Sequence, residues 1–531
     1  MIRFSFRQRV NERSVERAVE RAGAVLLIVL IAIVMLSLAA YTFSVLMVTE
    51  DQATRLKGRQ IQAKYLVESG VDYLRLYLSQ DPATVREAGG TWDNPSRFQG
   101  IPVSIDPDNP QDLGSFTIVT ASLDDSGIPM GFRFGLQDES TKLNINTLLL
   151  ADEYLPGAGR QLLMGLPNMT EEIADAILDW LDPDDEMRQF GTESSYYAGL
   201  SPPYACKNGP LDSVEELLLI RGVTPQLLFG LDTNHNGLVD ASEQSSAFAG
   251  SIDPEMQLGW VNYLTLFSKE SNRNREGLTR IYLNNPDLAQ LETELRSVLD
   301  QRWTTFILAY RQNGPYAGTD EPDSRGYYAE VDFEQQPQFE FAQILDLIDA
   351  RTTVPDPEDA ELDIVIDSPV TLDNIMMTLP VVMDNLTTLQ SDTIPGRINI
   401  NQAPRRTLEA IPGMTPEIVD DILHYREYVL DDPAGADRHK KYATWLLANT
   451  PPLVTLQQMR TMFPFICAGG DVYRAEIVGY HSNQIGTSRA EVLLDTTVPM
   501  PRILFWRDKT HLQSGYSLDN WGVGILQLED E

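Results

Sequence analysis

The stretch AGAVLLIVLIAIVMLSLAAYTFSVLMVT, Ala22–Thr49, contains no charged residue. As a helix rising about 1.5 Å per residue it spans roughly 40 Å, more than the ~30 Å hydrocarbon core of a bilayer. It is too long for the apolar region of a secretory signal, which runs about 7–15 residues, and no small-x-small cleavage pattern follows it. The flanks orient it. Residues 1–21 carry Arg3, Arg7, Arg9, Arg13, Arg17 and Arg21 against Glu12, Glu16 and Glu20, whereas Glu50 and Asp51 follow the run. Positive charge on the N-terminal side places that side in the cytoplasm and the rest of the chain across the membrane.

A short basic leader, a glycine and an uninterrupted apolar helix resemble a type IV prepilin signal. The resemblance implies peptidase cleavage after Gly23, with Ala24 as the first mature residue and the helix retained. Such pilins carry Glu at the fifth mature position, which here is Ile28. A lone carboxylate in the bilayer costs about 3 kcal/mol unless paired, and a subunit with nothing ahead of it has no use for one. Past the membrane, Ala63, Leu66, Val67, Val71, Leu74 and Leu78 recur at three- and four-residue spacing, with Gly70 on the same stripe. That period predicts a continuing amphipathic helix. Stripes of this kind are what pilins pack against one another, so Ala63–Leu78 is the expected assembly contact.

The chain has 531 residues with 41 Lys plus Arg against 77 Asp plus Glu, a net charge of -36. Beyond the leader 35 bases face 74 acids, a net of -39. This excess argues against nucleic acid or anionic lipid as the main partner, since both need basic surface. Apolar residues at 43% and charged residues at 22% fit globular domains, about three or four at this length. Two cysteines are too few for a disulfide scaffold or a Cys-ligated zinc module. No His-x-x-x-His pair, Gly-x-Ser-x-Gly or phosphate loop is present, so no enzyme is expected.

After Pro82 the pattern turns to short β-rich segments, Gly114–Leu123 and Gly131–Gln137, and similar alternation returns at Asp471–His481 and Arg489–Thr497. Residues from about 138 to 465 read as helices and loops. The fold class is therefore α+β, a sheet interrupted by a large helical insertion. An internal repeat runs through that insertion. TKLNINTLLL (Thr141–Leu150) is echoed by GRININQAP (Gly396–Pro404). Helix–turn–helix phrases follow at Leu166–Asp182 and Ile411–Arg426, with a partial copy at Ile220–Leu228. Asn168, Gly222 and Gly413 suit a left-handed helix exit; Thr170, Thr224 and Thr415 suit the next N-cap. The phrase looks like helix-hairpin-helix, whose familiar use is gripping DNA phosphates. Leu166–Asp185 holds seven acids and no base, and Ile411–Tyr425 holds no Lys or Arg. Phosphate would be repelled, so the motif is read as a packing unit.

Two acidic loops are candidate metal sites. LDTNHNGLVDASEQ matches a calcium-loop template: Asp232, Asn234 and Asn236 at the first, third and fifth places, Gly237 at the turn, the Leu238 carbonyl, Asp240, and Glu243 as the bidentate twelfth ligand. The second loop, Asp179–Tyr197, crowds Asp182, Asp184, Asp185, Glu186 and Glu193. Spacing alone leaves it either solvated or neutralised by a cation.

These pieces resemble the protein K family of minor pseudopilins of the type II (general) secretion pathway. The residues that carry the resemblance are Gly23 without the fifth-position Glu, Gln137–Leu148, ILDWLDPDDE with SSYY, Leu211–Thr224, GRININQAP and DVYRAEIVGY. It implies a type IV pilin-like fold, a long N-terminal helix plus antiparallel sheet, whose insertion holds helix-hairpin-helix, SAM-like units. It also implies a place at the pseudopilus tip with minor pseudopilins I and J, contact with other pseudopilins and inner-membrane secretion components, an ectodomain in the periplasm, and bound calcium. The calcium makes Asp182–Glu193 a stronger candidate than its spacing does. The expected organisation is a leader (1–23), a transmembrane helix (24–49), a pilin-like helix with first strands (50–137), the insertion (138–465) and C-terminal strands (466–531). Extra length is assigned to Asp232–Asp253, Gln312–Pro357 and Asp431–Ala448. The competing reading is a membrane-anchored DNA receptor of the competence type. Cys206 and Cys467 either pair or remain two buried thiols. N-terminal sequencing of the protein from membranes should begin at Ala24; an intact Met1 in assembled protein, or a cut beyond Leu46, would exclude this processing.

Overall fold

The first proline of the chain is Pro82, and no helix breaker precedes it except three scattered glycines. One helix, α1 (Phe4–Leu78), accordingly runs through the apolar stretch and far beyond it. The structure is a computed structural model describing residues 4–104, 113–244, 254–356, 358–359, 362–431, 441–481, 486–512 and 515–516. The side chains at the Gly23–Ala24 junction lie outside the described ones. From Val25 to Val48 the large apolar side chains of α1 are exposed. Among the described residues it is the one helix long and apolar enough to cross a membrane.

Farther along, the helix lies on an antiparallel sheet. Its strands are β1 (Ile101–Ser104), β2 (Gly114–Leu123), β3 (Pro129–Arg133), β4 (Gln137–Asp138), β5 (Val472–His481), β6 (Ser488–Asp495) and β7 (Arg502–Asp508). The order is β1-β2-β5-β6-β7, with β3 also paired to β2 and β4 to β5. Val67, Val71 and Leu74 of α1 pack on Phe116, Ile118, Ile477 and Val492. Gly70 permits this approach, because a Cβ there would sit 2.7 Å from Ile477 Cγ2. Gly479 does the same from the sheet side, where a Cβ would sit 2.4 Å from the Ala63 carbonyl oxygen.

This packing corrects one expectation. The stripe assigned to subunit contact is the chain's own core: Ala63, Leu66, Val67, Val71 and Leu74 are buried by its own sheet. Periodicity reports that a face is covered, not by which chain. The large apolar side chains of α1 that stay exposed beyond the membrane run are Leu56, Ile61, Tyr65 and Leu76.

The insertion leaves the sheet after β4 and returns at β5, where Asp138 pairs with Tyr473 and Gln137 with Arg474. The buried Asp138 carboxylate fastens entry to exit, accepting from the Gly470 N–H at 2.7 Å, the Ser140 N–H at 2.8 Å and Asn399 Nδ2 at 2.9 Å. Strand Ile466–Cys467 pairs with Ile398–Asn399 inside the insertion, so the insertion extends beyond 465 to the start of β5.

Inside it one unit recurs three times. A basic-apolar-x-apolar-Asn phrase stands at Lys142–Asn146, Arg280–Asn284 and Arg397–Asn401, and an Ile-Leu-x-aromatic phrase at Ile177–Trp180, Ile307–Tyr310 and Ile422–Tyr425. The second phrase falls on α2 (Glu171–Leu181), α3 (Gln301–Asn313) and α4 (Pro416–Asp431). Each copy closes with a two-residue parallel pairing: Leu143–Asn144 with Leu264–Thr265, Ile281–Tyr282 with Leu386–Thr387, and Ile398–Asn399 with Ile466–Cys467. The terminal Asn ties each copy together. Asn146 exchanges bonds with both backbone groups of Leu211, Asn284 does so with Phe341, and Asn401 donates to the Ala468 carbonyl. The middle copy accounts for most of Gln312–Pro357. Residues 245–253 and 432–440 of the other long segments lie outside the described residues.

Cys206 and Cys467 are separate buried thiols. They face different carbonyls, Asp179 and Arg397, so the alternative of a disulfide is discarded. Asn284→Ala should destabilise the protein by about 1–3 kcal/mol, since two buried backbone groups of Phe341 lose their partner. Thermal unfolding checks this, and an unchanged transition would remove the Asn tie from the account.

Candidate metal centre

The acidic loop is built on α2. Thr170 caps the helix by accepting from the Ile173 N–H, and the helix buries Asp175 and Asp179 on its inner face. Asp182 follows at the C-cap, and the chain then loops back to Glu193, the N-cap of the Ser194–Tyr197 turn. Trp180 meets Tyr197 edge-on with ring centroids 5.1 Å apart, and Tyr197 stacks on Tyr204.

Asp182, Asp184 and Glu193 bring carboxylate oxygens within 4.8 Å of one another, the only such trio of metal-ligating side chains among the described residues. Asp182 and Glu193 are 7% and 5% exposed. Asp182 Oδ1 and both Glu193 oxygens are buried with no hydrogen-bond donor. Buried unpaired carboxylates are costly unless protonated or matched by a cation. Burial pushes the Glu193 carboxyl up to about 7, aided by Asp179, Asp182 and Asp185. Burial also raises Asp182, although Arg188 opposes this. Oxygen-only donors with orphaned lone pairs fit a hard cation such as calcium.

Asp185 is placed apart from the trio. Its Oδ1 accepts from Ser194 Oγ at 3.1 Å and Asn208 Nδ2 at 3.2 Å. Sequence reasoning missed Asp179 and Arg188. Asp179 accepts from the Thr192 N–H at 2.7 Å and from Arg188 Nη1 at 2.9 Å. Its spacing on α2 marked an inward position, where the apolar period expects no charge.

In the second loop Gly237 has φ 75°, the turn for which the template requires glycine. Asp232 accepts from the Asn236 N–H at 3.1 Å and the Gly237 N–H at 2.8 Å. Glu243 reaches back across the loop to the Thr233 N–H at 2.8 Å, and its other oxygen accepts from the Asp240 N–H at 2.9 Å. Asn234 Nδ2 donates to Asp240 at 2.7 Å. The loop thus gathers Asp232, Asn234, Asn236, Asp240 and Glu243, with its carboxylates bonded to its own N–H groups. Its donor set is hard oxygen throughout. Leu238 packs its side chain into the cluster of Val119, Val478, Tyr480 and Tyr516.

The Glu193 shift has a stability consequence. Its folded value of about 7 exceeds the ordinary 4.5, so the folded state holds the proton more tightly than the unfolded one. In the ion-free protein this contribution is present below pH 4.5 and is lost as pH rises through 7. Glu193→Gln should therefore raise the unfolding temperature at pH 8 in chelator and flatten its fall between pH 5 and 8. An equal slope in both proteins would refute the assignment.

The family model for type II secretion system (T2SS), protein K, matches residues 141–232, which contain the whole carboxylate trio. Type II secretion system protein K of Aeromonas hydrophila is 42% identical over 57 residues, 10% of this chain and 17% of that one. Putative type II secretion system protein K of Escherichia coli (strain K12) is 25% identical over 224 residues, 39% of this chain and 60% of that one. The matched segments thus span less than two thirds of either curated relative. A crystal structure of the GspK-GspI-GspJ complex from the enterotoxigenic Escherichia coli type 2 secretion system aligns with 87% of this chain and 98% of that chain, at TM-score 0.30 and 12% identity. By the family model and both curated relatives, the chain is similar over part of its length to protein K of the type II secretion system.

Proposed function

We propose that this chain is a minor pseudopilin at the tip of a type II secretion pseudopilus. In this reading it is a structural subunit, not an enzyme, and it supports protein export across the outer membrane. Helix α1 holds it in the inner membrane as a single-pass anchor after processing at Gly23–Ala24, and the rest of the chain lies in the periplasm. The carrying observation is where the family-matched segment sits. Residues 141–232 open an insertion that springs from the β4–β5 junction and covers the sheet face opposite α1. A subunit within a helical filament must present two complementary surfaces, because head-to-tail contacts repeat. A bulky insertion on the head obstructs one of them and leaves the outer face of α1 open. Ile28 agrees with this, since it removes the carboxylate that would reach a subunit ahead.

The partners are minor pseudopilins I and J, with other pseudopilins and inner-membrane secretion components below them. They meet Leu56, Ile61, Tyr65 and Leu76, the exposed apolar side chains of α1 beyond its membrane run. Nucleic acid is not a partner, because the hairpin loops are acidic. Calcium is the cofactor, held by Asp182, Asp184 and Glu193, with a second ion in the Asp232–Glu243 loop. Each ion would fasten a loop whose carboxylates otherwise repel one another.

Co-expression of the full chain with both minor pseudopilins, followed by size-exclusion chromatography in detergent, tests the assembly. A small heteromeric complex is expected. Tyr65→Glu and Leu76→Glu should weaken it without lowering the unfolding temperature of the isolated chain. Homopolymeric filaments, or cross-links spread evenly along a pseudopilus, would contradict the tip assignment.

A further inference from the structure

The carboxylate trio already has a positively charged neighbour. Arg188 Nη1 lies 2.9 Å from Asp179 Oδ1 and also bonds Asp182 Oδ2. One nitrogen thus spans two acids at the edge of the cluster. Asp182 Oδ1 and both Glu193 oxygens still lack a donor, so the guanidinium neutralises one side of the cluster and leaves the other bare. Asp179 does not depend on it, because the Thr192 N–H also donates to that carboxylate at 2.7 Å. The Arg188 side chain is 26% exposed, against 0% for Asp179. It therefore has a path to water that the buried acid lacks.

We propose that Arg188 is a displaceable stand-in for the cation, a residue that sets the affinity of the site. This rests on the calcium reading of Asp182, Asp184 and Glu193. Without calcium, the guanidinium holds Asp182 Oδ2, one of the two oxygens of a carboxylate that the ion would share. With calcium bound, two cations would share that carboxylate at short range in a water-poor place, where screening is weak. The monovalent, tethered and partly exposed one gives way. A long arginine stem can move its head to solvent while its methylenes stay on the loop. The exchange has two effects. Arg188 keeps the ion-free loop folded by cancelling charge, and it weakens calcium binding because it must be displaced. Asp175 does not supply a competing role, since its carboxylate is already engaged by Arg160 at 2.6 Å.

The test uses the full-length chain in detergent, carrying Glu243→Gln so that the twelve-residue loop does not contribute. Calcium chloride is titrated into this protein and into its Arg188→Gln and Arg188→Lys forms, by calorimetry and by thermal unfolding. Arg188→Gln should bind calcium about tenfold more tightly. It should unfold at a lower temperature in chelator yet match or exceed the parent in millimolar calcium. Arg188→Lys keeps the charge and should stay near the parent in affinity. Equal or weaker calcium binding by a folded Arg188→Gln protein would overturn the displacement while leaving the calcium site standing. If neither the parent nor Arg188→Gln binds calcium, the calcium reading falls and the displacement falls with it.

Discussion

A buried ion network between the sheet and the insertion is the constraint on which the architecture depends. Strands β5 and β6 send Ala475, Ile477, Ala490 and Val492 towards α1, and Arg474, Glu476, Arg489 and Glu491 to the other face. The insertion covers that second face, so its charges must be paired within the protein. Arg474 bridges Glu139 at 2.7 Å and also meets Glu491; Lys509 reaches Glu476 at 2.9 Å and Glu491 at 3.1 Å; Arg489 reaches Glu476 at 3.0 Å. Burial alone would raise Glu139, but Arg474 holds it down to about 2. Burial, with Arg474 beside it, pushes Lys142 down to about 7. Removing one member would leave an uncompensated charge, typically a loss of about 3–5 kcal/mol. The network thereby fixes the insertion in one seat on the sheet.

The same network reaches the twelve-residue loop. Arg489 donates to the Asn234 carbonyl, Lys509 to the His235 carbonyl at 2.7 Å, and Tyr516 to the Asn236 carbonyl at 2.9 Å. The loop's side-chain oxygens remain within the loop while the sheet holds its backbone. A ligand that orders this loop is therefore coupled to the seat of the insertion. The carboxylate trio obeys the opposite logic. It sits in the loop that follows α2, and its unpaired oxygens carry a repulsion that only protonation, Arg188 or a cation can relieve.

The threefold repetition explains why the insertion can be large without a large sheet of its own. Each copy closes on two parallel residue pairs and an Asn side chain, so backbone satisfaction is local to the unit. The outer copies were legible because both keep Asn-Ile-Asn and the Met-Thr hairpin turn. The middle copy was hidden by two substitutions. Tyr282 stands where the first Asn of the phrase belongs, and Asp300 caps α3 in place of threonine, accepting from the Arg302 and Trp303 N–H groups. The Arg-Ile-Tyr-Leu-Asn and Ile-Leu-Ala-Tyr phrases carried the signal, but neither is apparent until the strands are seen to pair.

What the sequence by itself determined rests on local chemistry. An uncharged run longer than a bilayer must be an apolar helix, a 3.6-residue period must cover one face, and Gly, Asn and Thr at fixed offsets must turn and cap a hairpin. A 12-residue alternation of Asp and Asn around Gly237 must fold into an oxygen-lined loop. The tertiary structure decided which surfaces meet. The Ala63–Leu74 stripe is covered by its own sheet, the alternating charges of β5 and β6 are interior, and Asp179 and Arg188 join the cluster of Asp182, Asp184 and Glu193 while Asp185, one of the four candidates there, turns to Ser194. A strand with one charged face reads as half-solvated until a distant segment covers it. Which segment does so depends on chain closure between residues hundreds of positions apart, information that no local period contains.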